Sequence, residues 1–301
     1  MIKNLEQNFL NSHESIINAF RDLETSKNAS VNYDKWKRPE GGGGKTFVIG
    51  GGNFFDNCAV NFSSIRGKNL PKAALGNSII KSANNGYQAM GVSVISHPKN
   101  PHVPSSHMNI RLFCILDKKN EIKEWWCGGG YDLTPYIPYK NDYKGWHKEA
   151  KTLLDSYNRN FYKKFSKNCN DYFFIPHRNE RRGIGGLFFD NLSKMSMEKS
   201  LAFLSDIANQ YKESYLSIVN LRKKMKFSSD EKNFQLYRRG RYAEFNLVCD
   251  RGTAFGLQSN GRIESILASL PSDVKWSYAK TKEYVKMEKN LLKYINKDWN
   301  V

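Results

Sequence analysis

The sequence contains few cysteines, and their arrangement excludes several classes of protein. Five cysteines occur in 301 residues, an odd number, and no two of them are spaced as CxxC. A disulfide framework or a zinc ribbon needs paired or closely spaced cysteines, so neither is predicted. We expect reduced, mostly buried thiols instead.

Long apolar runs are also missing. No segment approaches the roughly 18 consecutive apolar residues that cross a membrane. The opening residues, MIKNLEQNFLNS, contain neither the apolar segment of a signal peptide nor the Arg- and Ser-rich character of a transit peptide. The sequence therefore predicts a cytoplasmic protein without a membrane span.

Glycine runs occur, but none has the spacing of a phosphate-binding loop. Gly41–Gly44 precedes Lys45 and Thr46, yet Pro39 stands where a P-loop needs its first glycine. The runs near residues 50 and 183 lack the third glycine of GxGxxG. These glycines are expected to permit sharp turns or the close approach of a flat ligand, and no nucleotide is predicted.

Acidic residues are scarce relative to basic ones. The 29 Asp and Glu against 47 Lys and Arg give a net charge of +18. Three interpretations are open: a basic face for nucleic acid or anionic lipid, a compositional excess of lysine, and a site for an acidic small molecule. The lysines are dispersed along the chain, which argues against nucleic-acid binding.

Apolar residues make up 40% of the chain and aromatic residues 13%, enough for a folded core. Hydrophobic periodicity predicts helices over residues 5–24, 142–165, 196–225 with Ser196 as N-cap, and 280–295. It predicts strands over residues 58–65, 90–96, 107–116, 185–189, 243–249 and 253–258. Strands mostly follow strands, so the pattern favours an α+β fold with a large antiparallel sheet.

Four histidines stand out, namely His97, His107, His147 and His177. The first lies at a strand end and the second opens the next strand, so a hairpin would bring both imidazoles to one cavity. Imidazole is a common metal ligand and acid–base group, but no HxH or HExxH pair occurs. An ordinary hydrogen-bonded role stays open for each, and His13 and His102 are predicted at the surface.

Arginines and one aspartate complete the candidate polar residues. Alternation in the 107–116 strand places Asn109 and Arg111 on the face opposite the aliphatic residues. Arg residues recur beside strand ends, where they either bind carboxylates of a ligand or pair with acids of the chain. Asp132 follows the run Trp125–Gly130. It is either a turn or capping residue, or an acid projecting into an aromatic, glycine-walled cleft.

Four long segments of unusual sequence follow one another along the chain. They are GVSVISHPKNPHVPSSHMNIRLF (91–113), EWWCGGGYDLTP (124–135), DYFFIPHRNERRGIGGLFFDNL (171–192) and RRGRYAEFNLVCDRGTAFGLQSNGRIESILASLP (238–271). Together they resemble the oxygen-dependent coproporphyrinogen III oxidases over about residues 41–276. The CxxxCxxC motif of the unrelated oxygen-independent enzyme is absent.

The resemblance implies one α+β domain over residues 1–301, with a broad antiparallel sheet covered by helices on both faces. It implies a homodimer to which residues 241–276 contribute. It also implies oxygen-dependent conversion of two propionates of coproporphyrinogen III to vinyl groups, giving protoporphyrinogen IX, CO2 and H2O2 in haem biosynthesis. No organic cofactor is implied, and molecular oxygen is the co-substrate.

The resemblance also implies roles for particular residues. A divalent cation is expected at His97, His107, His147 and His177, with His107 also the proton donor. Substrate contacts are expected at Ser93, Asn109, Ile110, Arg111, Asn260, Gly261 and Arg262, although Asn260 stands where the family often has glycine. Asp132 is expected to be catalytic: it would lie under the macrocycle, accept pyrrole N–H groups and assist the withdrawal of a proton.

Rival interpretations are a metal-dependent hydrolase built on the histidines, a basic nucleic-acid-binding module, and an inactive relative of the oxidase. The first predicts tightly bound zinc and activity without oxygen. The second predicts strongly salt-sensitive binding.

Overall fold

The computed structural model of the chain describes residues 2–70, 85–258, 261–299 and 301. The strands are β1 (Ser30–Lys37), β2 (Gly42–Gly50), β3 (Phe55–Gly67), β4 (Gly86–Pro98), β5 (Ser105–Leu116), β6 (Ile122–Thr134), β7 (Phe174–Ile175), β8 (Glu180–Arg181) and β9 (Gly185–Leu192). The helices are α1 (Ile2–Leu23), α2 (Lys140–Tyr157), α3 (Phe161–Tyr172), α4 (Met197–Arg222), α5 (Ser229–Glu244), α6 (Arg251–Gln258), α7 (Ile263–Leu267) and α8 (Lys282–Ile295). A 3₁₀ turn covers Pro176–Arg178, and a π-helical segment, Phe245–Cys249, follows α5.

Seven strands form one sheet in the order β1-β2-β3-β4-β5-β6-β9, and every neighbouring pair is antiparallel. Most neighbours follow one another directly along the chain, so hairpins build most of the sheet. This confirms the predicted α+β fold with a large antiparallel sheet. It also gives each strand two faces with different surroundings, because side chains alternate along a strand.

The face that we call the helical face packs against α1, α2 and α4. Phe9, Ile16 and Phe20 of α1 are buried against aliphatic residues of the central strands, including Val60 and Ile110. The spacing of the α1 residues is that of one helical stripe, which is why the sequence predicted this helix correctly. Burial of this continuous apolar layer is the main favourable contribution to folding.

The opposite face, here the cavity face, is covered by α5, the π-helical segment and α7. Asn57 on β3 donates to the carbonyl oxygens of Ala268 at 2.9 Å and Leu270 at 2.8 Å. Arg239 of α5 donates to Asp56 at 2.7 Å. Polar contacts of this kind hold these helical segments, here called the roof, above the sheet and leave space beneath them. Helices therefore lie on both faces, as expected.

Two local predictions were wrong for identifiable reasons. The helix predicted over 142–165 is broken after Tyr157, where the Asn158 side chain accepts a hydrogen bond from the Asn160 N–H at 2.9 Å and forms a turn. The strands predicted over 243–249 and 253–258 are helical. The buried residues Tyr242, Phe245 and Asn246 have helical spacing, and Asp250 accepts from the Thr253 N–H at 2.8 Å at the start of α6.

The strands β1, β2 and β6 and the helix α5 were not predicted, although Ser228 and Glu231 form a capping box at the start of α5. The five cysteines are free thiols, and four of them are buried. No helix in the described part of the chain is both long and apolar enough to cross a membrane.

Candidate active site

A cavity of about 800 Å³ lies between the cavity face of the sheet and the roof formed by α5, the π-helical segment and α7. Such a volume is in the range of small-molecule sites. Ser93, His107, Asn109 and Arg111 line it from β4 and β5, and Arg262 lines it from the start of α7. Hairpin pairing therefore brings together residues that the sequence predicted as one site.

The floor of the cavity is a row of residues that face one another across the strands. Ser93 on β4 lies opposite Asn109 on β5, and Asn109 lies opposite Gly130 on β6. Within the described residues, the side chains of Ser93 and Asn109 have no hydrogen-bond partner. Polar groups without partners at a cavity surface are free to bind a ligand.

A second row, one pair further along the strands, keeps the floor flat. Gly91 on β4 lies opposite Arg111 on β5, which lies opposite Gly128 on β6. A Cβ at position 128 would stand 2.8 Å from the Arg111 Nε and 3.0 Å from an Asp190 oxygen. Glycine at 128 therefore leaves room for the Arg111 side chain to cross the neighbouring strand.

Arg111 and Arg262 are the cavity cations predicted to bind carboxylates, and each has an exchangeable partner. Arg111 is 48% exposed and lies 3.0 Å from Asp190. Arg262 donates to Asp34 at 2.6 Å, and the Asp34 side chain is 57% exposed. Exposed ion pairs contribute only about 0–1 kcal/mol, so a ligand carboxylate replaces such a partner at little cost.

Asp132 lies behind the cavity surface, not at it. Its side chain is 1% exposed and accepts two hydrogen bonds from the Arg182 Nη2, at 2.8 and 2.9 Å. The His107 Nδ1 lies 3.0 Å from the same carboxylate. Asp132 belongs to β6, so the turn or capping role left open by the sequence is wrong. Asp132 therefore has donors from the protein itself, and its expected contact with pyrrole N–H groups stays a prediction.

Electrostatics keep this carboxyl group ionised. Burial alone raises the pKa of Asp132, but the charge of Arg182 and the hydrogen bonds from His107 and Arg182 outweigh it, so the pKa lies below its usual value. Burial also opposes the charge of Arg182, yet Asp132 raises the pKa of that guanidinium. Both groups stay charged, and His107 donates from Nδ1, which leaves its Nε2 as the basic nitrogen.

Arg182 is the principal site residue that the sequence did not single out. Its guanidinium carbon lies 4.1 Å from the centre of the Phe173 ring and 4.4 Å from that of Tyr242. It also donates to Asn246 at 3.0 Å. Cation–π contacts and an anionic partner together offset the cost of burying the charge. The available signal was the double arginine before Gly183.

The four histidines predicted as metal ligands do not meet in the structure. His97 and His107 face the roof, whereas His147 lies on α2, across the sheet, where its ring stacks on Trp299. The His97 Nδ1 lies 2.8 Å from Ser105 and its Nε2 donates to the Ser269 carbonyl at 3.1 Å. Its two ring nitrogens are therefore both engaged.

The remaining histidines also have protein partners. His177 lies 2.9 Å from Glu244, which also accepts two hydrogen bonds from Arg178. Within the described ranges, no group of three or more His, Cys, Asp and Glu side chains is placed to hold a metal ion. His13 and His102 are buried, so their predicted surface positions were wrong.

The other predicted substrate residues divide into three cases. Gly261 lines the cavity beside Arg262. The Ile110 side chain is buried in the core of the helical face, so it does not line the cavity. Asn260 lies outside the described residues.

The arrangement suits a broad ligand with an apolar body and acidic substituents. Tyr172, Phe173 and Phe188 supply aromatic surface, the sheet supplies a flat polar floor, and two arginines supply exchangeable cations. Behind this surface, a charged Arg182–Asp132 pair fixes the orientation of His107. The site thus combines carboxylate binding with one group capable of proton transfer.

The comparison with known protein families gives an independent result. The family model described as coproporphyrinogen III oxidase matches residues 4–300 of the chain.

Proposed function

Since this chain belongs to the coproporphyrinogen III oxidase family, we propose that it converts two propionates of coproporphyrinogen III to vinyl groups with molecular oxygen. The family makes the protein an oxidoreductase of haem biosynthesis. In the proposed reaction each propionate loses CO2 from its carboxylate and a hydrogen from its β-carbon. One O2 accepts the two electrons and the one proton released in each step, takes a second proton from solvent and leaves as H2O2, so two turnovers give protoporphyrinogen IX.

The observation that carries this proposal is the cavity floor between exchangeable cations. Among the described residues, the Ser93 and Asn109 side chains have no hydrogen-bond partner, while Arg111 and Arg262 form ion pairs with exposed acids. The substrate carries four propionates and an apolar macrocycle, so its carboxylates match the arginines. Arg forms two parallel hydrogen bonds to a carboxylate, which orients the substrate as well as binding it.

His107 is the proposed proton-transfer group, and Asp132 is a positioning residue. With Nδ1 bonded to Asp132, the basic Nε2 is available to the cavity that His107 lines. Withdrawal of a pyrrole N–H proton makes the electron-rich ring reactive towards oxygen. Oxygen adds to that ring as a peroxide, which takes the propionate β-hydrogen as a proton. The ring carbon–oxygen bond breaks as the hydroperoxide leaves, CO2 departs as the vinyl double bond forms, and His107 returns its proton to the pyrrole nitrogen. The protein thus supplies binding, orientation and charge placement.

The divalent cation expected from the family resemblance has no part in this mechanism. His147 is separated from His97 and His107 by the sheet, so these side chains do not fit one ion within a single chain. We expect protein made without a histidine tag to keep its activity in a chelator. Stoichiometric metal by elemental analysis, with activity lost on its removal, would contradict this.

A homodimer through residues 241–276 is part of the proposal. Leu247, Val248, Ile263 and Trp276 of this segment are exposed, and Val248 is 73% exposed. Exposed apolar groups in this one segment support the proposal that it is an interaction surface. Sedimentation of the protein and of Val248→Lys tests this, with a dimer expected for the first and a larger monomer fraction for the second. Cytoplasmic localisation is likewise a proposal, to be tested by fractionation of cells.

The deciding experiment compares turnover of coproporphyrinogen III in air and under argon. Product is measured as protoporphyrin fluorescence after chemical oxidation, and CO2 and H2O2 are measured in parallel, with an enzyme-free sample as the control for spontaneous oxidation. We expect turnover in air only, with equal amounts of CO2 and H2O2. Equal rates in both atmospheres would refute the oxygen-dependent reaction.

A further inference from the structure

The hairpin formed by β1 and β2 supplies one wall of the cavity, and the family resemblance assigned no role to it. Trp36 and Arg38 line the cavity from this hairpin. Trp36 lies opposite Gly44 on β2, and the same row continues through Ser63 and Gly91 to Arg111 on β5. Trp36 and Arg111 therefore mark the two ends of one row across the floor.

The row is long enough for a broad flat ligand. It crosses four strand spacings, which at 4.7–4.9 Å each is about 19 Å between the backbones of Trp36 and Arg111. The residues between these ends are Gly44, Ser63 and Gly91, all small. A ligand whose one edge contacts Arg111 can therefore reach the hairpin with its opposite edge, because only small residues lie between them.

The indole of Trp36 lies directly over Gly44 of the sheet. A Cβ at position 44 would lie 2.4 Å from Trp36 Cζ2, so any residue other than glycine would displace the ring. The Trp36 Nε1 donates to the Thr46 hydroxyl at 3.3 Å. Thr46 in turn lies 2.8 Å from the Ser265 hydroxyl of α7. The ring is thus fixed to the floor through Thr46, and Thr46 is fixed to the roof.

Arg38 repeats the arrangement found at the two predicted carboxylate sites. Its Nε donates to Glu40 at 3.0 Å, and the Glu40 side chain is 57% exposed. Its two Nη groups have no hydrogen-bond partner among the residues that the structure describes. Like Arg111 with Asp190 and Arg262 with Asp34, this arginine has a weakly held, exchangeable partner.

We propose that the hairpin is a specificity-determining wall, in which Arg38 binds one propionate of the tetrapyrrole and Trp36 packs against the adjoining pyrrole ring. The inference rests on the proposed function, and it adds a third carboxylate subsite to Arg111 and Arg262. Aromatic packing orients a ring, and an arginine fork orients its acidic substituent. Conversion of propionates to vinyl groups removes ligands of these arginines, so the product binds less tightly than the substrate.

Binding and turnover of matched variants test this wall. The probes are coproporphyrin III, a stable porphyrin with four carboxylates, and a porphyrin with two carboxylates, both followed by fluorescence. Arg38→Gln is compared with Glu40→Gln and with Lys35→Gln. Lys35 lies opposite Lys45 in the sheet, and Lys45 contacts Glu14 of α1. The Lys35 side chain therefore lies on the helical face, so Lys35→Gln removes one positive charge away from the cavity.

We expect Arg38→Gln to weaken coproporphyrin III binding about tenfold and to raise KM for coproporphyrinogen III similarly, because a charge-assisted contact is lost. The two-carboxylate porphyrin should lose less affinity, and Lys35→Gln should change neither value. Glu40→Gln should leave binding unchanged or tighter, since it frees Arg38. Trp36→Leu should weaken both porphyrins, and Trp36→Phe should restore most of that loss.

Several results would overturn the subsite. One is an unchanged affinity in Arg38→Gln while the unaltered protein binds and turns over substrate. Another is equal weakening by Arg38→Gln and Glu40→Gln, which would mean that the ion pair only shapes the hairpin. Thermal unfolding of each variant, and Arg38→Lys as a milder change, separate lost binding from lost folding. Failure of the unaltered protein to turn over coproporphyrinogen III would instead refute the proposed function.

Discussion

The guanidinium of Arg182 donates from one nitrogen, Nη2, to both carboxylate oxygens of Asp132, at 2.8 and 2.9 Å, and both side chains are almost completely buried. Asp132 also binds His107, the only member of this trio that is partly exposed. The pair therefore forms a charged support beneath the imidazole. Loss of either charge would leave the other buried and unpaired.

Asp132→Asn is expected to impair both stability and turnover. Removal of one partner from a buried ion pair costs about 3–5 kcal/mol of unfolding free energy. The amide also presents a donor in place of an acceptor and so disturbs the His107 tautomer, which should lower kcat by about 10²–10⁴-fold. Denaturant unfolding and steady-state kinetics measure the two effects.

Asp171→Asn is the matched control, because Asp171 forms an exposed ion pair with Lys167 one helical turn away. Such pairs contribute about 0.3–0.5 kcal/mol. An Asp132→Asn protein as stable as this control would show that the Arg182 pair does not stabilise the fold. A double change, Asp132→Asn with Arg182→Gln, should lose less stability than the sum of the single changes.

Arg111→Lys is expected to raise KM with little effect on folding. Arg111 is half-exposed and its ion pair with Asp190 is at the surface, so stability should change by less than about 1 kcal/mol. Lysine keeps the charge but not the two parallel hydrogen bonds to a carboxylate, which should weaken substrate binding by about 1.5–3 kcal/mol. A large fall in Tm with unchanged KM would instead make Arg111 a structural residue.

Acid should destabilise the protein through buried histidines, of which His13 is one. Its ring is buried beside the Val60 carbonyl, and burial lowers the pKa of His13 from 6.5 to about 4. A group whose pKa is depressed on folding contributes full stability above its unfolded pKa and loses that contribution as pH falls. The loss should run from about pH 6.5 to about pH 4 and reach about 3 kcal/mol.

His13→Gln tests this assignment, since glutamine keeps a donor for the Val60 carbonyl but does not titrate. Urea unfolding at a series of pH values should show a flatter dependence between pH 6.5 and 4 than in the unaltered protein. An identical slope in both proteins would assign the acid sensitivity to other groups.

Periodicity alone predicted the elements whose two faces differ strongly. The apolar stripe of α1 and the alternation around Asn109 and Arg111 can each be recognised within a single segment of the sequence. Their prediction therefore needs no knowledge of the segments that pack against them. The segment 243–258 failed because a short apolar run fits a strand and a buried helix equally well. There the deciding contacts, such as Arg182 with Asn246, come from distant parts of the chain.

The candidate site was predictable in its residues more than in its geometry. The β4–β5 hairpin brings Ser93 opposite Asn109, as the strand pattern implied. Asp132 and Arg182 are 50 positions apart, and their pairing depends on how β9 and the preceding turn meet β6. No local sequence pattern predicts how these strands align, so the ion pair between Asp132 and Arg182 was not predicted.

The position of Arg111 over Gly128 gives a test that leaves every charge in place. A methyl group at position 128 would stand 2.8 Å from the Arg111 Nε and 3.3 Å from its Nη2, so the flexible guanidinium must shift. Gly128→Ala should therefore raise KM about tenfold with little change in Tm, because one oriented carboxylate contact is weakened.

Gly145→Ala is the control, since a methyl group there meets nothing within 4 Å and alanine favours a helix. In an Arg111→Lys background, Gly128→Ala should add little further loss, because both changes act on the same contact. Additive losses in that double variant would show that Gly128 affects the floor of the cavity by a route independent of Arg111.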